Sequence, residues 1–272
     1  MLAEVNVWAD IIATALVGIA LFFWVFQIVG NIVTGRFKRK FVGGEWPHHD
    51  AIVPPMPKIM HGVHVVSMIS LWVSGLYIRF PFFSGGRDIM KYIHFVAMYA
   101  VIIIFVMRLW YAFTRDGREF VITLKDVKNF PRVLMYYMFL GKSYPHLMKY
   151  NPLQKMTYGY LFPVFLTIMA ITGFGLMWPT SVYGWAANFT GGAAAAAAWG
   201  RVIHFLCAAI LLMFTMIHLC LSFIEDYPAL LIFFGLSKGD HGHEEHEENK
   251  EKDNKERKGH GHTGNVPSIE TH

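Results

Sequence analysis

"RVIHFLCAAILLMFTMIH", residues 201–218, sets a histidine near each end of an otherwise apolar run of helical length. Ionisable side chains at membrane depth are costly and by default mark function. At about 100° per residue, the fourteen residues from His204 to His218 make nearly four turns. Both rings then lie within about 40° of one face and about 21 Å apart along the axis. One helix thus offers its neighbours an imidazole near each membrane surface.

The rest of the chain sets the solvent for that helix. Of 272 residues, 54% are hydrophobic and 16% aromatic, and the apolar residues gather into blocks about 20 residues long, enough to cross a bilayer core. The blocks predict an all-α integral membrane protein with five spans, at 10–33, 59–80, 92–113, 158–178 and 202–225. No Lys or Arg precedes the first block, and it is too long for a secretory signal, so it is expected to be retained.

Lys and Arg set the orientation, because they stay on the cytoplasmic side. The stretch "GRFKRKFVGGEWPHHDAIVPPMPK" carries five, the connection 114–157 eight, and the tail after residue 237 six. The opposite side carries Arg79, Arg87, Lys91 and Arg201. The N-terminus is therefore expected outside and the C-terminus in the cytoplasm. The net charge of +5 follows from this topology and from lipid headgroups, and gives no reason to invoke nucleic acid.

Three segments are expected: residues 1–57 as a first membrane helix and linker, 58–237 as the main membrane domain, and 238–272 as a disordered, charged, His-rich tail. The run "GGAAAAAA" at 191–198 either lengthens the fifth helix or forms a surface connection, and no repeat period is evident. Cys207 and Cys220 lie about 20 Å apart on one helix, too far for a disulfide. They read as buried thiols.

Five of the fourteen histidines fall in predicted spans: His61 and His64 in the second, His94 in the third, His204 and His218 in the fifth. The alternating directions of the spans put His94 opposite His204 at the outer level, and His61 and His64 opposite His218 at the inner one. Neutral imidazole ligates iron, and paired imidazoles stacked across a helical bundle are what two six-coordinate haems require. A hydrogen bond to a neighbouring helix explains a single buried histidine, but not four at matching depths on three helices. Arg201, one turn before His204, and Arg79, at the end of the second span, suit haem propionates or interfacial anchoring. A divalent-metal pathway is weighed against this, but no Asp or Glu lies well inside a span.

"HGVHVVSMISLWVSG" (61–75), His94 with the following "MRLWYAF" (107–113), "KYNPLQKMTYGYLFPVFLTIMAITGFGLMWP" (149–179) and the fourteen-residue His spacing together resemble the di-haem cytochrome b subunits of membrane-bound formate dehydrogenases, nickel-iron hydrogenases and thiosulfate reductases. The resemblance covers roughly residues 56–226 and implies a four-helix core, to which the first span is an addition. It implies two b haems, one held by His94 and His204, the other by His218 and a partner from the second span. Spacing to Gly75 points to His61 as that partner, and depth points to His64. It also implies a menaquinone or ubiquinone site at the inner face around Asn151, with Gln154 and Tyr150 beside it. The plain account of "KYNPLQK" is a helix start with Asn151 as cap and Pro152 first, and both can hold together.

The implied function is electron transfer in a bacterial or archaeal cytoplasmic membrane, between an outer iron-sulfur and catalytic partner and quinone. Electrons run inward from formate or hydrogen, or outward from quinol in a thiosulfate-type reductase. A stand-alone transmembrane ferric reductase and a haem-free anchor are the other readings. The chain has no iron-sulfur Cys pattern of its own.

Overall fold

A computed structural model describes residues 2–46, 55–116, 121–141 and 151–236. Its helices, in chain order, are α1 (Leu2–Val33), α2 (Arg36–Phe41), α3 (Pro55–Arg79), α4 (Arg87–Tyr111), α5 (Leu124–Tyr137), α6 (Pro152–Met156), α7 (Phe162–Met177), α8 (Pro179–Tyr183), α9 (Ala187–Thr190), α10 (Ala193–Glu225) and α11 (Tyr227–Phe233). A π turn, Thr157–Leu161, joins α6 to α7, so Pro152–Met177 forms one long helical stretch. With α1, α3, α4 and α10 it makes five helices long and apolar enough to cross a membrane.

Each of these begins before the apolar block that announced it, because helix propensity continues past the hydrophobic edge. Pro55 opens α3 and Pro152 opens α6, positions where a missing N–H costs nothing. The alanine run lengthens α10 rather than forming a surface connection: alanine is the best helix former, and Gly191 (φ 82°) and Gly192 (φ 122°) hold the turn before it. The π turn lies just ahead of Pro163, which has no N–H for the carbonyl one turn back. The N–H of Phe162 bonds Thr157 O instead, the wider register of a π turn.

Helix α3 packs along α4, α7 along α10, and α1 along the other flank of α10. Met68, Val101, Leu166 and Leu211, one from each of α3, α4, α7 and α10, form the central apolar layer, with Trp72, Phe105 and Phe165 against it. Met68 is seven residues from both His61 and Gly75, Val101 seven from His94, and Leu211 seven from both His204 and His218. The layer therefore separates two polar levels, each two turns away. Tyr183 enters between Gly175 and Gly200 so closely that a Cβ on either would overlap its ring, which brings α7 and α10 together. Cys207 and Cys220 are buried free thiols.

Candidate functional site: two levels of imidazoles

At the level away from the basic connections, the His94 and His204 rings face each other with centroids 6.3 Å apart. Each is held by a hydroxyl of the preceding long helix. Ser74 Oγ is 2.9 Å from His94 Nδ1, and Thr172 Oγ1 is 2.9 Å from His204 Nδ1. Both hydroxyls donate to carbonyls of their own helix, Ser74 to Ser70 at 2.5 Å and Thr172 to Ile168 at 2.7 Å. With its proton so committed, each hydroxyl oxygen accepts from Nδ1–H. The neutral tautomer is therefore protonated at Nδ1, leaving the Nε2 lone pair for a ligand.

Gly75 and Gly173 follow those hydroxyl residues. A Cβ on Gly75 would stand 3.3 Å from His94 Cε1, and one on Gly173 3.4 Å from His204 Cε1. Ser74-Gly75 with His94 and Thr172-Gly173 with His204 are thus one device used twice, a local correspondence between α3–α4 and α7–α10. Sequence inspection missed it because it is too short to give a period.

At the basic end, His218 lies 2.6 Å by Nδ1 from the Tyr158 hydroxyl. The π turn carries Tyr158. His218 is exposed at the protein surface although it lies inside the helix span. It is within electrostatic range of His61, which in turn is in range of His64 and of Arg108. The His61 ring packs on Phe233 of α11 (centroids 5.2 Å) and His64 on Phe162 (5.6 Å). Arg108 lies seven residues beyond Val101, fourteen beyond His94. Sequence reasoning passed over Ser74, Thr172, Tyr158 and Arg108 as site residues, although all four lie in the stretches that carried the resemblance.

Arg79 does not stand free at the other end: its Nε and Nη2 donate to Asp10 of α1 at 2.9 and 2.5 Å. Arg201 is exposed. Asn151 is the N-cap of α6, 3% exposed, its Oδ1 accepting from Gln154 N at 2.8 Å while Gln154 Oε1 accepts from Asn151 N at 3.0 Å. Tyr150, His48, His49, His146 and the 238–272 tail lie outside the described residues. Among the described residues no group of three or more His, Cys, Asp and Glu side chains is placed to hold a metal ion.

Membrane helices that set two imidazoles opposite each other, with the Nδ1 of each beside a hydroxyl, offer the donors that a membrane cytochrome uses. The model of the prokaryotic cytochrome b561 family matches residues 53–235, and the chain belongs to that family. It is a multi-pass membrane protein and a b-type cytochrome of prokaryotes, with a role in electron transfer and haem b as its prosthetic group. It is 26% identical over 191 residues to a probable Ni/Fe-hydrogenase B-type cytochrome subunit of Azotobacter vinelandii, covering 62% of this chain and 78% of that one. The like-named protein of Rhizobium leguminosarum bv. viciae is 24% identical over 196 residues, with the same coverage. No solved structure matches the chain significantly.

The donor set fits haem b. His94 and His204, with ring centroids 6.3 Å apart, would hold its iron through neutral imidazole nitrogens. The hydroxyls supply the outer hydrogen bond that such ligands need. Ser74→Ala and Thr172→Ala are each expected to weaken haem retention roughly 10- to 100-fold, while the folded chain stays in the membrane. Haem titration of the apoprotein measures this.

Proposed function

We propose that this chain is the membrane subunit of a hydrogenase-type complex, carrying electrons through two b haems between an iron-sulfur partner at one face and quinone at the other. What carries the reading is the pair of imidazole levels, two turns above and two turns below one apolar layer, on helices that span the membrane. Hydrogenase is favoured over formate dehydrogenase and thiosulfate reductase by the names of the relatives.

Haem iron, when bound, supplies a one-electron couple. His94 and His204 would hold one group, and His218 together with His61 the other. His61 is taken rather than His64 for its fourteen-residue spacing to Gly75. Arg201 at one end and Arg108 at the other suit propionates, whereas Arg79 is engaged by Asp10. The apolar layer around Met68 and Leu211 excludes water between the levels.

At the basic end, Asn151 caps α6 with its oxygen, and an amide of this kind is the group type that hydrogen-bonds a quinone carbonyl. Gln154 and Tyr150 flank it in sequence. With the basic end in the cytoplasm, as the Lys and Arg distribution indicates, quinone reduction there takes protons from inside and contributes to the proton-motive force.

Haem quantified per purified chain, with a reduced-minus-oxidised spectrum and reoxidation by decylubiquinone, tests the reading. Two haems per chain and saturable reoxidation are expected, with one haem lost in His61→Ala and both kept in His64→Ala. A single haem, or reoxidation indifferent to quinone, overturns it.

A further inference from the structure

We propose that α1 and α2, which lie outside the family match, form a clamp that positions Asn151 by holding both α5 and the end of α10, with Arg36 as its positioning residue. The proposal rests on the reading of Asn151 as a quinone-site group.

The clamp grips the last turn of α5. Gln27 Nε2 donates to the Tyr137 carbonyl at 2.9 Å, and Arg36 donates by Nη1 to the Tyr136 carbonyl at 3.1 Å and by Nη2 to the Gly141 carbonyl at 2.9 Å. The last carbonyls of a helix lack intrahelical donors and carry the negative end of its dipole, so a guanidinium there both satisfies and neutralises them. Arg36 is only 7% exposed, with its guanidinium carbon 4.0 Å from the Tyr136 ring centroid. Phe139, at φ 60°, turns the chain at this point, and its ring lies so close over Gly30 of α1 that a Cβ there would overlap it.

The clamp has a fixed base. Trp24 Nε1 donates to the Met216 carbonyl of α10 at 2.7 Å, and Lys40 Nζ meets Glu225 Oε2 at 2.6 Å, where the Tyr136 hydroxyl also donates at 3.2 Å. Helices α1, α2 and α5 therefore converge on the end of the helix that carries His218.

The other end of α5 is fastened to α6. Lys155, 3% exposed, donates to Asp126 at 3.0 Å and to the Val121 carbonyl at 3.5 Å. Asp126 closes the capping box with Thr123 that starts α5, and Lys155 lies one turn after the Asn151 cap. The fourteen residues of α5 thus act as a strut of about 20 Å, held at one end by Arg36 and attached at the other to the segment that begins with Asn151.

The test uses the full chain in detergent with haem bound, comparing Arg36→Ala, Arg36→Lys and Asn151→Ala with Arg39→Ala, whose side chain is 57% exposed. Amide hydrogen exchange is followed in residues 124–137 and 151–156, and reoxidation of the reduced protein over a range of decylubiquinone concentrations gives half-saturation and limiting rate. With two charge-assisted bonds lost, Arg36→Ala is expected to speed exchange in both segments roughly tenfold or more. It raises half-saturation several-fold and leaves the limiting rate and haem content unchanged. Arg36→Lys, which keeps the charge but has one nitrogen in place of the two that reach the Tyr136 and Gly141 carbonyls, falls between, and Arg39→Ala matches the parent chain.

Exchange confined to α5, or unchanged in both segments, overturns the clamp. So does loosening of both segments with half-saturation shifted by Asn151→Ala alone. If both segments loosen and neither Arg36→Ala nor Asn151→Ala moves half-saturation, the mechanical coupling stands and the quinone role of Asn151 fails.

Discussion

Exchanging His204 for alanine is expected to take the haem content from two per chain to one and to stop electron passage between the faces. His94→Ala is expected to lose the same haem, and the double variant to lose no more than either alone, because residues that act as a unit are not additive. The argument is geometric. The two rings face each other at 6.3 Å, and each is oriented by one hydroxyl whose own proton is already committed to its helix. Removal of either ring would leave the bound group one imidazole short, and among the described residues no other histidine lies at that level. His218→Ala should remove the other haem. Pyridine haemochrome content and the reduced-minus-oxidised spectrum of each purified variant measure this, and loss of different haems in His94→Ala and His204→Ala would sink the pairing.

The second large effect is expected at Asp126→Asn, which should cost about 3–5 kcal/mol by stranding the buried ammonium of Lys155 opposite a neutral amide. Replacing both partners with apolar side chains of similar size should be far milder, since no charge is then left unpaired. Burial acts to raise the Asp126 pKa, but the Thr123 backbone N–H and hydroxyl and the Lys155 ammonium outweigh it and hold the carboxyl below its ordinary value. A carboxyl depressed on folding contributes stability that is fully present above its unfolded pKa, about 3.9, and is lost as pH falls through the folded one. Attachment of α5 to α6 should therefore be constant from neutral pH down to mild acid and fail only below the usual carboxylate range. Amide exchange in residues 124–137 as a function of pH reads this directly. A decline already complete above pH 5 would contradict it.

The basic stretch after the first span shows how an inference from charge can miss a structural role. Arg36 and Lys40 were counted only toward orientation, yet both are buried and bonded to the ends of α5 and α10. The positive-inside rule responds to where charge accumulates, and a sum over a loop does not record which side chains turn inward. Arg79 is a similar case: its position at a helix end was plain, but its partner, Asp10, lies 69 residues away.

What the amino-acid sequence determined by itself was local and periodic. A hydrocarbon environment leaves the backbone few choices besides helix, so blocks of apolar residues were enough to give five spans, and the fixed rise and rotation of a helix turned the spacing of His204 and His218 into two levels on one face. The cap at Asn151 was legible for the same reason, since Asn-Pro followed by Gln at the third position is a short-range signal. Tertiary structure alone decided which hydroxyls and cations serve which partners across helices. That Ser74 serves His94, Thr172 serves His204, Tyr158 serves His218 and Arg36 serves α5 depends on the rotation and depth of one helix against another. Those are set by packing around Met68, Val101, Leu166 and Leu211, and by the glycines that allow close approach, over separations for which no short sequence pattern exists.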